Sequence, residues 1–487
     1  MRLGGRIPGE RFPSAPGAFA RRLQRGGVVE ETQHGGFEAV DVSRRDDATC
    51  GEALDDLPEA THVVHDGRNP RSERLEQRSR LVELRAVGEH GHRRLRERLF
   101  ERGALEVPEP PLRPVAGTGS QRVEGDPRVA GDEEAGVGEG RALFPVLDRI
   151  AYLNAGTFGP LPRPVADAVT GGVARDLAEG RTGMPYFEET IRLRAEVRSQ
   201  LAALVGAGPD QVALTSSTSE GCAIVLRGLR LEPGDEIVTT TDEHFGLLGP
   251  LAASVATVVV VEPDPERILA AVTARTRLIA TSQVLWTTGA VLPLAELRER
   301  SGVPVLADGA QSIGAIPAGA DGLDFLTISG QKWLCGPDTT GALVVRDPES
   351  LTLPSPSYFA QTRHEPDGTF VAHPDARRFE SGWWSSGALR GMLAALALRP
   401  EWAYDRAAEA AARCHALLAP RVEVVTPPVA ATLVTFRPEE TPADVVVRLH
   451  AADVHVRELP GRGLVRASCG WWTSDDDLER LVAALGT

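Results

Sequence analysis

The chain has 487 residues, 42% of them hydrophobic, with 50 Gly and 36 Pro, enough for two or three domains with buried cores. Its 53 basic residues against 68 acidic ones give a net charge of -15, which offers no electrostatic reason to expect nucleic acid or an anionic membrane as partner, since those demand concentrated positive charge. No apolar run approaches the roughly 18 residues of a membrane-spanning helix, and the Arg-bearing start lacks a signal peptide's apolar stretch, so a soluble cytoplasmic protein is expected.

Residues 1–140 stand apart. They hold 22 Arg and 26 acidic residues but four Phe and no Trp or Tyr, whereas all seven Trp and all four Tyr follow residue 150. Such a segment cannot offset chain entropy by burial, so disorder or isolated helices are expected, with a solvated helix between Arg71 and Arg102. The pairs His62/His65 and His90/His92 lack a further Cys or His cluster to complete a metal site and are read as surface. The composition also raises the expectation that translation begins near residue 140; abundant peptides from residues 1–120 in mass spectra of the natural protein would overturn it.

From residue 145 apolar runs alternate with helical periods, the pattern of an α/β domain over 145–387. Ile150 to Leu153 reads as a short strand, and Arg163 to Leu177 and Glu188 to Val205 as helices. Strands are expected at Gln211–Thr215, Glu236–Thr240, Thr257–Val261, Leu278–Thr281, Val303–Ala307, Phe325–Ile328 and Gly341–Val345, with helices beginning near Ser219, Phe245, Pro265 and Pro293. Runs such as TVVVV suit a mostly parallel sheet covered on both faces. Over 388–487 a smaller α+β domain is expected: a helix, the strand Ala431–Phe436, a helix from Thr441, short strands near His455 and Leu464, and a last helix opened by Ser474-Asp475-Asp476-Asp477.

Within the basic residues one fact separates itself: Lys332 is the only lysine, and the rest are Arg. An arginine stays protonated and forms no imine with an aldehyde, whereas a lysine with a lowered pKa does both jobs. Lys332 is therefore a candidate for covalent chemistry. An aldehyde cofactor such as pyridoxal phosphate asks for that lysine, a carboxylate against its pyridinium nitrogen, a phosphate cradle, a ring-stacking group and a cation for the substrate carboxylate. Asp308 follows the strand VPVLA, with Gln311 three residues on in reach of the ring hydroxyl, and Lys332 follows the strand Phe325–Ile328. Thr215-Ser216-Ser217-Thr218-Ser219-Glu220-Gly221 joins a strand to a helix as a phosphate seat, with N-capping an equally good reason for Ser219. His244 follows Asp242-Glu243 where an imidazole can stack on a ring or move protons, and Arg466 can clamp a carboxylate. The five cysteines, odd in number and without a CxxC pair, indicate neither a disulfide framework nor structural zinc.

The order TSSTSEG, DEHFG, ADGAQ, SGQKWLCGP, RRFESG and VRAS resembles the class V aminotransferase superfamily of fold-type I pyridoxal phosphate enzymes, which includes cysteine desulfurases, selenocysteine lyases, kynureninases and an isopenicillin N epimerase-like branch. The resemblance covers roughly residues 145–487. It implies a large, mostly parallel α/β/α domain with a smaller C-terminal α+β domain, a homodimer, and pyridoxal 5'-phosphate joined covalently to Lys332. It further implies Asp308 at the pyridine nitrogen, Gln311 at the ring oxygen, His244 stacked on the ring, Thr218, Ser219 and Ser329 at the phosphate, and Arg466 with Gln283 at the substrate carboxylate. The departures bear on substrate. The stretch Val456 to Gly463 lacks the nucleophilic Cys that desulfurases carry there, and Trp383-Trp384 follow Gly382 where desulfurases have a phosphate-reaching Gly-Thr. Those Trp, with Trp286, suit a pocket for a bulkier apolar substrate, with packing of the dimer interface the expected role of at least one. Tyr152 to Pro160 is closer to the epimerase-like branch. The expected activity is aminotransferase-type chemistry at the α carbon of an amino acid; a carbon-sulfur lyase relying on Cys335 or Cys469, an epimerase, and a non-catalytic binding module are the alternatives.

Overall fold

A computed structural model describes residues 28–31, 37–40, 138–428 and 430–486. In the N-terminal unit, Met1–Ser120, β1 (Val28–Glu31) and β2 (Phe37–Val40) pair antiparallel, two strands where the composition suggested disorder or helices. The other expectations for residues 1–137, including the solvated helix, both His pairs and the start of translation, lie outside the described residues.

The second unit, Gln121–Thr487, carries the remaining elements. In chain order these begin with β3 (Ala151–Tyr152), α1 (Arg163–Glu179), α2 (Gly183–Val205), β4 (Val212–Thr215) and α3 (Thr218–Gly228). Next come β5 (Glu236–Thr240), α4 (Phe245–Ala252), β6 (Thr257–Val261), α5 (Pro265–Ala270), β7 (Thr276–Ser282), α6 (Leu294–Ser301), β8 (Val305–Asp308), β9 (Phe325–Ser329) and β10 (Gly341–Val345). A small hairpin follows, β11 (Gln361–His364) with β12 (Phe370–Ala372), then α7 (Ser386–Ala397), α8 (Ala403–Leu418), β13 (Glu423–Val424) and β14 (Leu433–Arg437). The chain closes with α9 (Pro442–Ala451), β15 (Val454–His455), β16 (Arg457–Leu459), β17 (Leu464–Ser468) and α10 (Asp475–Leu485).

Seven strands form the large sheet in the order β4-β10-β9-β8-β7-β5-β6, parallel from β6 through β9. Its central strands are buried along their whole length, as expected of a sheet with helices on both faces. One core lies between the sheet and α2, α6 and α7, another beneath α3 and α4. Because α7 sends Leu389 and Met392 into the first of these, it spans the 387/388 boundary expected from the sequence and packs with the large sheet. The second sheet, β13-β14-β17-β16, has its own core with α8, α9 and α10, and β3 and β15 form a separate parallel two-stranded sheet whose Ala151 and Val454 pack into that core. Ser474 and Asp477 cap α10 reciprocally, with three Asp in its first turn, as the sequence suggested.

Candidate active site

β10 runs antiparallel to both β9 and β4, so β4 points the same way as the five parallel strands. The loops that follow β4, β5, β7, β8 and β9 therefore open on one edge of the sheet, the place where open α/β sheets bind ligands. Asp308, Lys332, His244, Thr218, Ser219, Ser329 and Gln283 all come from these loops or strand ends. Arg466 arrives from the second sheet and donates through Nη1 to the Trp286 carbonyl at 2.8 Å.

Asp308 closes β8 and is 3% exposed. Its Oδ1 accepts from the Ala310 N–H at 3.0 Å and from the hydroxyl of Thr327, its register partner on β9, at 3.2 Å. Among the described residues Oδ2 has no hydrogen bond, which leaves one carboxylate oxygen for a ligand. Gln311 is anchored at both ends: Nε2 donates to the Gly156 carbonyl at 2.8 Å, and Oε1 accepts from the Trp333 indole at 3.0 Å. Only its second N–H stays available toward a ring oxygen.

Lys332 sits in the turn after β9. The loop 154–160 crosses over it so closely that a Cβ on Gly159 would lie 2.1 Å from the Lys332 carbonyl, a crossing only glycine allows. The amine has no hydrogen-bond partner among the described residues. Burial, then the charges of Arg466 and Arg457, bring its pKa down to about 8 against the upward pull of Asp308. Cys335, three residues on, is held left-handed at φ 54, and burial pushes its thiol well up, away from the nucleophilic range.

At the start of α3 the capping hydroxyl is Ser217, which accepts from the Glu220 N–H at 3.2 Å. Capping therefore does not explain Ser219. Thr218 and Ser219 occupy the first helical turn, whose N–H groups have no helical acceptors. Ser219 Oγ abuts Gly246, where a Cβ would approach within 2.7 Å, so the first turns of α3 and α4 touch. Ser329 is buried at the same edge, its hydroxyl donating to Gln331 Oε1 at 2.9 Å.

His244 caps α4: Nδ1 accepts the Gly246 N–H at 3.1 Å, which places the proton of the neutral ring on Nε2. The imidazole meets Trp286 edge-on, centroids 5.3 Å apart, and the residue is otherwise exposed. Partial burial and the Lys332 charge hold its pKa below the ordinary value. Behind it Glu243, only 2% exposed, accepts from Thr240 Oγ1 at 2.7 Å, Thr281 Oγ1 at 2.5 Å, and the Ser282 hydroxyl and N–H at 2.6 and 2.9 Å. It ties the end of β5 to the end of β7 and so fixes the loop that carries His244.

Arg466 is 1% exposed, and among the described residues its Nε and Nη2 have no partner, as is true of Trp286 Nε1 and Gln283 Oε1. Nε and Nη2 form the side-on fork that matches a carboxylate. Burial, and the neighbouring Arg457, push the guanidinium down to about 9. Gly156 makes room for the fork, since a Cβ there would lie 2.7 Å from Nη2. Arg457 stands directly opposite Arg466 in the β16/β17 register and donates to Thr157 Oγ1 at 2.9 Å. Sequence reasoning missed Arg457, Thr157 and Glu243. For Arg457 a signal existed: VREL and LVRAS flank the turn Pro460-Gly461-Arg462-Gly463, and folding them about it sets the two arginines side by side. Within that turn Arg462 pairs with Asp242 at 3.3 Å and donates to the Thr241 carbonyl at 2.9 Å, latching the hairpin onto the His244 loop.

The expectation for the pocket tryptophans changes, while Cys469 is where its position after Arg466 suggested. Trp384 is 4% exposed inside the large core, and Trp383 lies on the surface against Phe359, ring centroids 4.9 Å apart, so of the three Trp only Trp286 reaches the crevice. Cys469 is packed in the core of the second sheet.

The donor set fits pyridoxal phosphate on its own terms: an unbonded amine with a lowered pKa, a buried carboxylate with a spare oxygen, a helix N-terminus with free N–H groups, and an orphaned arginine fork. The family model for aminotransferase class-V matches residues 151–481. An isopenicillin N epimerase from Streptomyces clavuligerus is 29% identical over 403 residues, covering 73% of this chain and 98% of its own. A probable cysteine desulfurase from Pseudomonas aeruginosa is 30% identical over 391 residues, covering 71% and 96%. Among solved structures, the cystine C-S lyase C-DES in complex with its product cysteine persulfide superposes with a TM-score of 0.66 at 26% identity, over 70% of this chain and 98% of that one.

Proposed function

The chain belongs to the aminotransferase class-V family and is a pyridoxal phosphate enzyme, and from that premise we propose that it moves a proton at the α carbon of an amino acid, ending in transamination or inversion. When bound, pyridoxal phosphate supplies an aldehyde for the amine and a ring that takes up the electron pair left when the α proton departs. Lys332 would hold the cofactor and, as a free amine, would take the α proton; a pKa near 8 leaves a useful fraction of neutral base at neutral pH. Asp308 would pair with the ring nitrogen, Thr218, Ser219 and Ser329 would hold the phosphate and His244 would cover the ring, while Arg466 and Gln283 would bind the substrate carboxylate. Where Lys332 returns the proton decides between amino-group transfer and inversion.

The observation that carries this reading is the orphaned fork of Arg466 beside an unbonded Lys332 amine. Sulfur transfer has less support: the β16/β17 turn is short, latched by Arg462 and without cysteine, and Cys335 is a buried, high-pKa thiol. A homodimer is supported by the apolar surface that Leu161, Val173, Leu177 and Ile191 leave exposed. A cytoplasmic setting accords with four cysteines that remain free thiols, and no described helix is long and apolar enough to cross a membrane.

Incubation of the holoenzyme with amino acids in D2O tests the proposal. The α-proton signal should fade in nuclear magnetic resonance spectra as keto acid or the mirror-image amino acid accumulates. Lys332→Ala should slow the exchange at least about a hundredfold and remove the cofactor's covalent absorption band. Sulfide release from cysteine without α-proton exchange of other amino acids would overturn it.

A further inference from the structure

Arg457 and Arg466 face each other across an antiparallel pair, an arrangement that ordinarily costs stability because like charges stand about 5 Å apart at Cβ. Among the described residues neither guanidinium has a carboxylate within ion-pairing distance. Glu458, the nearest acid in the chain, points to the opposite face of β16 by the alternation of the strand. The acids around the crevice are otherwise engaged: Asp242 with Arg462 and Thr287, Glu243 with Thr240, Thr281 and Ser282. Asp308 acts on Lys332, on which the charges of Arg466 and Arg457 also act in the opposite sense. One substrate α-carboxylate fills the Nε and Nη2 fork of Arg466 completely. It leaves Arg457 fixed by Thr157 and still without a counter-ion.

We propose that the crevice is built for an amino acid with a second anionic group: Arg466 takes the α-carboxylate and Arg457 takes a carboxylate at the far end of the substrate side chain. This rests on the reading of Lys332 and Arg466 given above. Thr157 positions Arg457 by accepting one N–H, while the other guanidinium nitrogens remain free for the second carboxylate. The short side chains between the two carboxylates of aspartate or glutamate suit two guanidinium groups on adjacent strands. The expected ligand is therefore an acidic amino acid and not the bulky apolar one inferred from the tryptophans.

Titration of the holoenzyme, followed by the cofactor absorption band and by calorimetry, separates the possibilities when each acidic amino acid is compared with its uncharged isostere in both enantiomers. Glutamate should bind at least about tenfold more tightly than glutamine, or aspartate than asparagine, as a charge-assisted bond predicts. In Arg457→Gln the ratio between acid and amide should fall to near one, and Arg457→Lys should keep part of it. Equal binding of acid and amide, or a preference that survives Arg457→Gln, overturns the inference and leaves the α-carbon reading intact. If no amino acid changes the band and Arg466→Gln is silent as well, the parent reading falls with it.

Discussion

Two pairs of arginines are drawn into this molecule, and their surroundings differ. Arg194 and Arg198 on α2 share Glu380, whose carboxylate also accepts the Leu214 N–H at 3.1 Å; all three side chains are nearly fully buried. Arg194 further lies 4.0 Å over the Phe359 ring. Arg457 and Arg466 have the same chemistry and, among the described residues, no carboxylate within ion-pairing distance. A buried ion set whose members are all partnered is a structural feature of the chain that carries it. A buried cation without a counter-ion is costly to keep, and its cost is recovered only when something negative arrives. The contrast separates the part of the chain that is finished by folding from the part that is finished by binding.

The most forceful way to break that contrast is to remove the shared acid. Glu380→Gln leaves Arg194 and Arg198 buried and unpaired, and unfolding by urea should show a loss of about 3–5 kcal/mol. The same protein, where folded, should retain the α-proton exchange chemistry because the crevice is untouched. A loss below about 1 kcal/mol would mean that water enters the cluster and that the two arginine pairs are less different than their burial indicates.

Next in size is the opposite experiment. Arg466→Met removes a fully buried cation that the chain leaves unpartnered at Nε and Nη2 and gives up one bond to the Trp286 carbonyl. Replacing the charge with an apolar side chain of similar length should leave the cofactor-free protein as stable as before or raise its melting temperature, by about 1 kcal/mol, while amino-acid binding is lost. Destabilisation comparable to that of Glu380→Gln would place Arg466 among the structural arginines instead.

How much of this was legible in the sequence follows the range of the interaction. β5 and β10 coincide with the apolar runs that announced them, because a strand buried on both faces writes its limits locally; TVVVV also marks β6, but that strand lies at the edge of the sheet and is partly exposed instead of covered on both faces. The hairpin of β11 and β12 was not foreseen: QTRH is exposed, polar and without alternation, so nothing in its composition marks a strand. α7 was cut at its start because its placement depends on packing against α1 and α2, which no local pattern records. Asp308 and Lys332 stood out since strand ends and a solitary lysine are visible one at a time. Arg457 became visible only through the register of a hairpin, and the anchoring of Gln311 only through Gly156, far away in the chain. The capping hydroxyl is Ser217 and not Ser219 because the helix begins at Thr218, two residues before a Ser219 cap would start it.

The smallest expected effect sharpens the comparison most, since it asks whether Arg457 belongs electrically to the open cluster. A lysine amine attacks an aldehyde only when unprotonated, so uptake of pyridoxal phosphate by the cofactor-free protein should accelerate with pH and level off above a midpoint near 8, the value to which burial and the two arginines bring Lys332. A neighbouring positive charge disfavours the protonated amine. Removing it in Arg457→Gln must therefore raise the midpoint, by about half a unit given a partly solvent-screened partner. Glu380→Gln, whose charge belongs to the closed cluster, should leave the midpoint where it is. Stopped-flow absorbance across pH 6.5 to 10 would read both, with the range chosen to bracket that midpoint. An unchanged or lowered midpoint in Arg457→Gln would mean that its guanidinium does not act on the amine, and the open cluster would then reduce to Lys332, Asp308 and Arg466.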